Sequence, residues 1–241
     1  RFDTEGHKVT LAAEVKDFDP LLYMEKTEVR RSDLYTQYAA AAAYQAVRDS
    51  GITGVAPERL GVYFGSGIGG IITFFAESEK LVNKGPSRIS PLFVPTMIAN
   101  IAAGVIAIRH GAKGPCLPVV TACATGTHSI GEAYRCIRHG YADAVIAGGA
   151  EAAVTPLAIA GFANCMALSV KNDPLSASIP FDRRRDGFVL GEGAGALVLE
   201  EYEHAVSRGA TIYAEICGYA NTCDAYHITA PHPDADGAAA A

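Results

Sequence analysis

Residues 119–140 read VVTACATGTHSIGEAYRCIRHG, and this stretch decides the fold. The apolar run that ends at Thr121 and Ala122 predicts a strand, and the amphipathic pattern after it predicts a helix that stops at Gly140. Cys123 lies between the two, at the helix N-terminus, where unpaired N–H groups and the positive end of the helix dipole favour a thiolate. The stretch therefore predicts a strand, a nucleophile and a helix in direct succession.

The residues around Cys123 are small, which suits an active site. Ala122, Ala124, Thr125 and Gly126 leave room for a substrate carbonyl, and the Cys123 N–H can point at a developing oxyanion. A free cysteine is more often a small buried hydrophobic residue than a catalyst. The strand–cysteine–helix context favours the catalytic interpretation.

Composition narrows the class of protein. The 241 residues are 49% hydrophobic with a net charge of −6, which provides ample core and argues against a general nucleic-acid binder. The six cysteines lack CxxC pairs and metal-ligand spacing, so we expect reduced thiols, no metal and a cytoplasmic location. No signal peptide or membrane-length apolar run is present, so we expect no membrane association. The chain starts at Arg1, so a location in an organelle is the alternative if a targeting segment was removed.

The rest of the chain alternates helix and strand patterns, which predicts an α/β layered fold without a linker between domains. Residues 9–18 are expected to form a peripheral strand or extended arm. Strands are predicted at residues 60–64, 142–149, 196–200 and 212–218, and helices at residues 33–49, 74–83, 96–110 and 201–207. The helix at 96–110 is apolar on nearly every side, so we expect it to be buried within the subunit or against a second one.

Two further features have competing interpretations. The glycine-rich GSGIGG at residues 65–70 lacks the spacing of a phosphate-binding loop, so we expect close approach of the backbone to another segment or to an apolar ligand. Lys26, Arg30 and Arg31 form a basic cluster in an acidic chain. The cluster is either a solvated surface turn or a docking patch for an acidic partner.

Several long motifs together identify a family. TACATG, ADAVIAGGAEA, PFDRRRDGFVLGEGAGALVLEEYEHAVSRGA and DAYHITAP closely resemble β-ketoacyl-acyl carrier protein synthases, the condensing enzymes of fatty-acid synthesis. The elongating enzymes of the type II pathway are the nearest match. The resemblance implies a thiolase-like, layered α-β-α-β-α fold of two βαβ halves, assembled as a homodimer. Residues 1–241 would be the N-terminal ketosynthase half, without the opening strand and most of the C-terminal half.

The resemblance also implies a mechanism. Cys123 would take an acyl group from acyl carrier protein, and malonyl-acyl carrier protein would then lose carbon dioxide and attack the thioester. The product would be an acyl chain two carbons longer. The two histidines and the lysine that the family uses for the second step are absent from these residues. No cofactor of the protein's own is implied, because the phosphopantetheine arm belongs to the carrier.

By the same resemblance, further residues acquire roles. Ile68 and Phe162 match acyl-pocket positions, and Met97 and Ile98 match a helix that reaches into the partner subunit's pocket. The basic cluster of Lys26, Arg30 and Arg31 matches the region that receives acyl carrier protein, and Asp224 and His227 match a mobile loop at the active-site mouth. The charges of PFDRRRDG are interpreted as paired within that stretch. The other histidines are interpreted as structural or exposed, and they are His7, His110, His128, His139, His204 and His232.

Three alternatives stay open. One is the non-catalytic chain-length partner subunit of aromatic polyketide synthases, which typically replaces the nucleophile that Cys123 supplies here. Another is a ketosynthase domain of a modular polyketide synthase, which the PLFVPTMIANIAAG and DAYHITAP segments disfavour. The third is an inert half that aggregates through its exposed sheet faces.

Overall fold

A three-stranded sheet organises residues 2–241, the part of the chain that the computed structural model describes. Strand β1 (Leu60–Gly65) pairs in parallel with β2 (Ala144–Ala152), and β2 pairs antiparallel with β3 (Glu192–Glu200). The central strand β2 is almost entirely buried, as its uninterrupted apolar run predicts. The predicted strands at 60–64, 142–149 and 196–200 are therefore confirmed, although β3 begins four residues earlier than expected.

Helices cover both faces of the sheet. In residues 2–241 the α-helices are α1 (Lys26–Val29), α2 (Leu34–Ser50), α3 (Ile71–Lys84), α4 (Phe93–Met97), α5 (Ile101–His110), α6 (Thr125–Arg138), α7 (Pro156–Asn164), α8 (Pro174–Ala177), α9 (Tyr202–Ser207) and α10 (Asp236–Ala240). Helices α2 and α5 pack on one face through Tyr35, Phe64 and Ile106, and α6 packs on the other through Ala133 and Val145. None of these helices combines the length and the hydropathy needed to cross a bilayer.

The predicted arm at residues 9–18 lies against the start of β3. The Ala13 N–H donates to the Leu190 carbonyl over 2.8 Å, and the Glu192 N–H donates to the Ala13 carbonyl over 3.1 Å. Only this one bridge forms, so the segment is an extended arm. Of the two predicted forms of this segment, a peripheral strand or an extended arm, the arm is therefore confirmed.

The strand predicted immediately before Cys123 does not form. The chain makes one bridge to β1, in which Val62 donates to Pro115 and Leu117 donates to Val62. Pro115 and Pro118 have no N–H to give to a ladder, so regular pairing stops there. Residues 117–121 therefore reach the cysteine as an irregular extended segment.

The single helix predicted at residues 96–110 is two helices, α4 and α5, separated by an extended Ile98. The Met97 carbonyl accepts from the Gly70 N–H over 2.9 Å, and the Ile98 carbonyl accepts from the Tyr35 hydroxyl over 2.7 Å. These bonds take both carbonyls out of a continuous helical ladder. Ile108 on α5 is 82% exposed, so this part of the helix is not buried within the subunit, and its burial against a second subunit stays a prediction.

The predicted strand at residues 212–218 is also wrong. The segment has no regular secondary structure, is mostly exposed, and pairs with no strand in residues 2–241. A cleft lined by Leu197, Leu199, Ile212 and Ile216 separates it from the outer edge of β3. Because a strand is defined by its partner's hydrogen bonds, strand propensity alone cannot produce one across this gap.

Asp33 joins α2 to α3 and is buried. One carboxylate oxygen caps α2 by accepting from the Tyr35 N–H, and the other accepts from the N–H and hydroxyl of Thr73 over 2.8 and 2.7 Å. The cap and the αL residue Gly51 at the far end explain why the predicted bounds of this helix were accurate. Burial raises the pKa of the Asp33 carboxyl.

We expect Asp33→Ala to lower the free energy of unfolding by about 3 kcal/mol, the combined cost of a lost cap and a buried unpaired N–H. The matched control is Asp173→Ala, which removes the exposed cap of α8 and should cost about 1 kcal/mol or less. Denaturant unfolding measures both.

The pH dependence of the Asp33 contribution follows from its raised pKa. The folded state holds the proton more tightly, so the contribution of Asp33 to stability should fall as pH rises above the ordinary value of 3.8 toward the raised pKa. The stability gap to Asp33→Ala should therefore narrow over that range. If Asp33→Ala and Asp173→Ala lowered the free energy of unfolding equally, the hydrogen bonds from Asp33 to Thr73 would contribute nothing to stability.

Candidate active site

Cys123 lies in an exposed turn that leads directly into α6. Residues Ala122–Ala124 form one 3₁₀ turn, and α6 begins at Thr125. Ala122 has a φ of 49°, in the left-handed region that residues other than glycine rarely adopt. This turn leaves the Cys123 side chain exposed, as a nucleophile requires. The predicted helix after the cysteine is confirmed, and it ends at His139 and Gly140.

Thr121 and Thr125 hold the turn. The Thr121 N–H donates to the buried Thr125 hydroxyl over 2.9 Å, and the Ala124 N–H donates to the Thr121 carbonyl over 3.1 Å. The Thr121 hydroxyl also pairs with Nδ1 of His128 over 2.8 Å. The Cys123 N–H belongs to a first turn, where backbone N–H groups have no intrahelical acceptor and can bind an oxyanion.

The GSGIGG segment, called here the glycine loop (residues 65–70), approaches this turn closely. A Cβ atom at Gly65 would overlap the Val119 carbonyl oxygen and Cγ2 of Thr125. A Cβ atom at Gly70 would lie 2.6 Å from the Thr96 carbonyl oxygen. The prediction that this loop brings backbone close to another segment is confirmed, and the segments are the cysteine turn and the end of α4.

Three of the four predicted pocket residues lie on or beside this loop, and the fourth lies on α7. Ile68 lies on it and is 40% exposed, and half-buried Met97 and Ile98 lie beside its second half in the same chain. Phe162, on α7, packs edge-on against Phe188 with ring centroids 5.6 Å apart. It joins the cluster that also contains Ile71, the residue after the loop.

The basic cluster of Lys26, Arg30 and Arg31 is exposed on and just after α1. A bidentate ion pair between Glu28 and Arg109, at 2.7 and 2.8 Å, fixes α1 to α5. The Thr96 hydroxyl donates to the Arg31 carbonyl over 3.3 Å, which places the cluster beside α4. None of its three cations forms an ion pair with another described residue.

The hydrogen bonds of Asp224 and His227 lie within the predicted mouth loop itself. Asp224 accepts from the His232 N–H over 2.8 Å, and Nδ1 of His227 accepts from the Thr229 and Ala230 N–H groups over 3.1 and 3.0 Å. These bonds lie within one exposed loop. Its role at an active-site mouth stays a prediction.

The charged PFDRRRDG stretch pairs largely within itself and its neighbours. Arg184 contacts the Asp182 carboxylate at 2.7 Å, which lowers the pKa of Asp182 to about 2, and Asp186 accepts from the Ser169 hydroxyl over 2.7 Å. The stretch lies mostly at the surface. This pairing matches its interpretation as a structural element.

Sequence reasoning missed Glu151, a half-buried carboxylate on β2 beneath the glycine loop. It accepts from the Ser66 hydroxyl over 2.9 Å and from the Ile68 N–H over 3.0 Å. Burial raises its pKa, against the opposing effect of these donors. A glutamate inside the apolar run AVIAGGAEA was the signal, because a charged residue there needs partners.

The described residues contain one group able to hold a metal ion. His232, Asp234 and Asp236 place one ligand atom each within 4.8 Å of one another on the C-terminal tail. The two aspartates are exposed, and exposed acidic groups of this kind are common without an ion. The geometry alone assigns it no function.

The parallel β1–β2 pair, the antiparallel β3, helices on both faces and the cysteine ahead of α6 define a thiolase-like protein of the ketosynthase type. Residues 3–205 match the family model described as the N-terminal domain of beta-ketoacyl synthase. The chain belongs to the β-ketoacyl synthase family.

Curated relatives carry a more specific name. The chain is 52% identical over 241 residues to 3-oxoacyl-[acyl-carrier-protein] synthase 2 of Synechocystis sp., covering 99% of this chain. It is 53% identical over 239 residues to the Staphylococcus aureus protein of the same name, covering 98% of this chain. It spans 58% of the length of each of these relatives.

Solved structures share the fold. A beta-ketoacyl synthase from Burkholderia phymatum has a TM-score of 0.86 and 35% identity, covering 94% of this chain and 56% of its own. The ishigamide ketosynthase/chain length factor has a TM-score of 0.87 and 36% identity, covering 100% of this chain and 60% of its own. A type II polyketide ketosynthase in complex with its acyl-carrier protein, at 24% identity and a TM-score of 0.75, shares the fold alone.

Proposed function

We propose that the full-length protein containing this chain is a β-ketoacyl-acyl carrier protein synthase that lengthens fatty acyl chains by two carbons. The observation that carries the proposal is the exposed Cys123 in the turn ahead of α6, in a chain about half identical to synthases of that name. Its six free cysteines suit a reducing cytoplasm.

The first step is acyl transfer. The Cys123 thiolate attacks the thioester carbonyl of an acyl carrier protein, a new carbon–sulfur bond forms, and the carrier's thiol leaves and takes a proton. The Cys123 N–H supplies one donor to the tetrahedral oxyanion. The product is an acyl-enzyme thioester at Cys123.

The second step is decarboxylative condensation. Malonyl-acyl carrier protein loses carbon dioxide, and the resulting carbanion attacks the Cys123 thioester and expels the thiolate. This step needs a proton-transfer group, and Nδ1 of His128, the histidine nearest in sequence to Cys123, is paired with the Thr121 hydroxyl. By family resemblance, residues outside this chain supply that chemistry, and Ile68, Phe162, Met97 and Ile98 line the acyl pocket, with Met97 and Ile98 also facing a second subunit.

The test supplies the full-length protein with saturated acyl-acyl carrier protein and malonyl-acyl carrier protein and measures products by mass spectrometry. A β-ketoacyl carrier two carbons longer than the substrate, with one carbon dioxide released, is expected. Absence of this product from a folded protein would instead support the non-catalytic partner, a role consistent with similarity to the ishigamide ketosynthase/chain length factor. Products of repeated condensation without reduction would favour the polyketide alternative.

The proposed carrier-docking surface is the basic cluster of Lys26, Arg30 and Arg31. Its unpaired exposed cations suit an acidic carrier protein. We expect Arg30→Glu combined with Arg31→Glu to lower kcat/KM for acyl-acyl carrier protein by about 10-fold at low salt, and by less at high salt. Steady-state kinetics across a salt series measures this effect.

A small acyl thioester and Lys113→Glu are the controls for that experiment. The double variant should use an acyl-pantetheine substrate as well as wild type does, because that substrate makes no carrier contacts. Lys113 is exposed and pairs only loosely with Glu58, at 3.9 Å. Lys113→Glu should therefore leave kcat/KM for acyl-acyl carrier protein unchanged. Equal losses with both substrates would place the defect in folding or chemistry and not in docking.

A further inference from the structure

Glu151 and Ser66 form a support beneath the glycine loop. Ser66 is 1% exposed, and its hydroxyl donates to Oε1 of Glu151 over 2.9 Å while accepting from the Gly69 N–H over 2.8 Å. Oε2 of Glu151 accepts from the Ile68 N–H over 3.0 Å. One carboxylate therefore fixes the backbone on both sides of Ile68.

The support rests on a rigid element. Glu151 lies near the end of β2, where it pairs with Gly193 of β3 in the antiparallel register. Beyond Ile68, the loop is held to the end of α4 by the Gly70 N–H, which donates to the Met97 carbonyl. The side chain of Ile68 projects from a backbone fixed at both ends and is itself 40% exposed.

A carboxylate is costly to bury, and apolar packing or a neutral side chain would hold a loop at lower cost. The hydrogen bonds of Glu151 go to Ser66 and Ile68 of the glycine loop. Together with the bond from the Gly69 N–H to Ser66, they fix the backbone around Ile68, the one loop residue that the family resemblance assigns to the acyl pocket. These contacts indicate that Glu151 and Ser66 determine the position of Ile68.

We propose that Glu151, acting with Ser66, is a positioning residue that sets the acyl-chain selectivity of the pocket by fixing the backbone of Ile68. This inference rests on the proposed synthase function. Without the support, the loop samples other positions and Ile68 discriminates less between short and long acyl chains. Since each lost hydrogen bond is equivalent to roughly a 5-fold change, the selectivity should change by at least that factor.

The test measures kcat/KM for acylation of the full-length protein by short-chain and long-chain acyl-acyl carrier proteins. We expect Glu151→Ala to bring the long-to-short ratio about 5-fold closer to one than in wild type. Ser66→Ala should change the ratio in the same direction. Glu151→Gln should largely restore it, because its amide can accept from Ile68 and donate to Ser66.

Glu79→Ala, on the exposed side of α3, is the matched control and should leave the ratio unchanged. A uniform loss at all chain lengths in Glu151→Ala and Ser66→Ala would overturn the positioning role, as would a wild type that does not discriminate between chains. If Glu151→Ala fails to fold, Ser66→Ala decides in the same way. A folded wild type that no acyl chain modifies would reject the proposed synthase function, which is a separate result.

Discussion

Replacing Cys123 by alanine should lower kcat/KM for chain elongation by at least about 10³-fold, because the step that forms the acyl-enzyme loses its nucleophile. The turn should tolerate the change, since the exposed thiol makes no contact on which the turn depends. Thr121 and Thr125 hold this turn through their own hydrogen bonds. The measurement is steady-state elongation of an acyl-acyl carrier protein with malonyl-acyl carrier protein.

Cys217→Ala is the control for that loss. Cys217 is also exposed, lies in the irregular segment after α9, and has no role in the proposed chemistry. Its variant should keep wild-type rates, and thermal unfolding should show that both variants are folded. Substantial elongation by folded Cys123→Ala would remove the cysteine from the mechanism.

Gly65→Ala should destabilise the protein by more than about 3 kcal/mol, at the upper end of the cost of overpacking. The added methyl group would overlap the Val119 carbonyl oxygen and Cγ2 of Thr125, and the first of these is backbone. Relief requires β1 and the cysteine turn to separate. Activity should therefore fall together with stability, which denaturant unfolding and elongation assays measure.

Gly104→Ala, in the middle of α5, is the matched glycine substitution. A Cβ atom there meets nothing within 4 Å, so the change should be neutral or stabilise the helix by up to about 1 kcal/mol. If Gly65→Ala were as stable as Gly104→Ala, the close packing of the glycine loop on the cysteine turn would be wrong.

Local patterns predicted those elements whose ends are fixed by their own residues. Helix α2 has Asp33 as its cap and Gly51 as its stop, and β2 is a continuous apolar run. The break between α4 and α5 was not predictable in this way, because it depends on hydrogen bonds from Gly70 and Tyr35, which are distant in sequence. The failed strand at residues 212–218 has the same cause, since strands need partners.

In the candidate site too, residues with a local signal could be predicted and residues that depend on distant contacts could not. Cys123 could be predicted because its signal is local: a small-residue turn directly before an amphipathic helix. The proximity of Ile68 to the cysteine turn follows only from the fold. Glu151 was missed because its function depends on Ser66 and Ile68, which lie more than eighty residues earlier in the chain.

The central claim is that Cys123 carries the acyl group, and peptide mapping tests it most directly. The full-length wild-type protein is incubated with acyl-acyl carrier protein in the absence of malonyl-acyl carrier protein, digested, and analysed by tandem mass spectrometry. We predict one added acyl mass, released by hydroxylamine, on the peptide that contains Cys123. The other five cysteines of this chain serve as internal controls. An acyl group found on another residue, or on none in a folded protein, would contradict the claim.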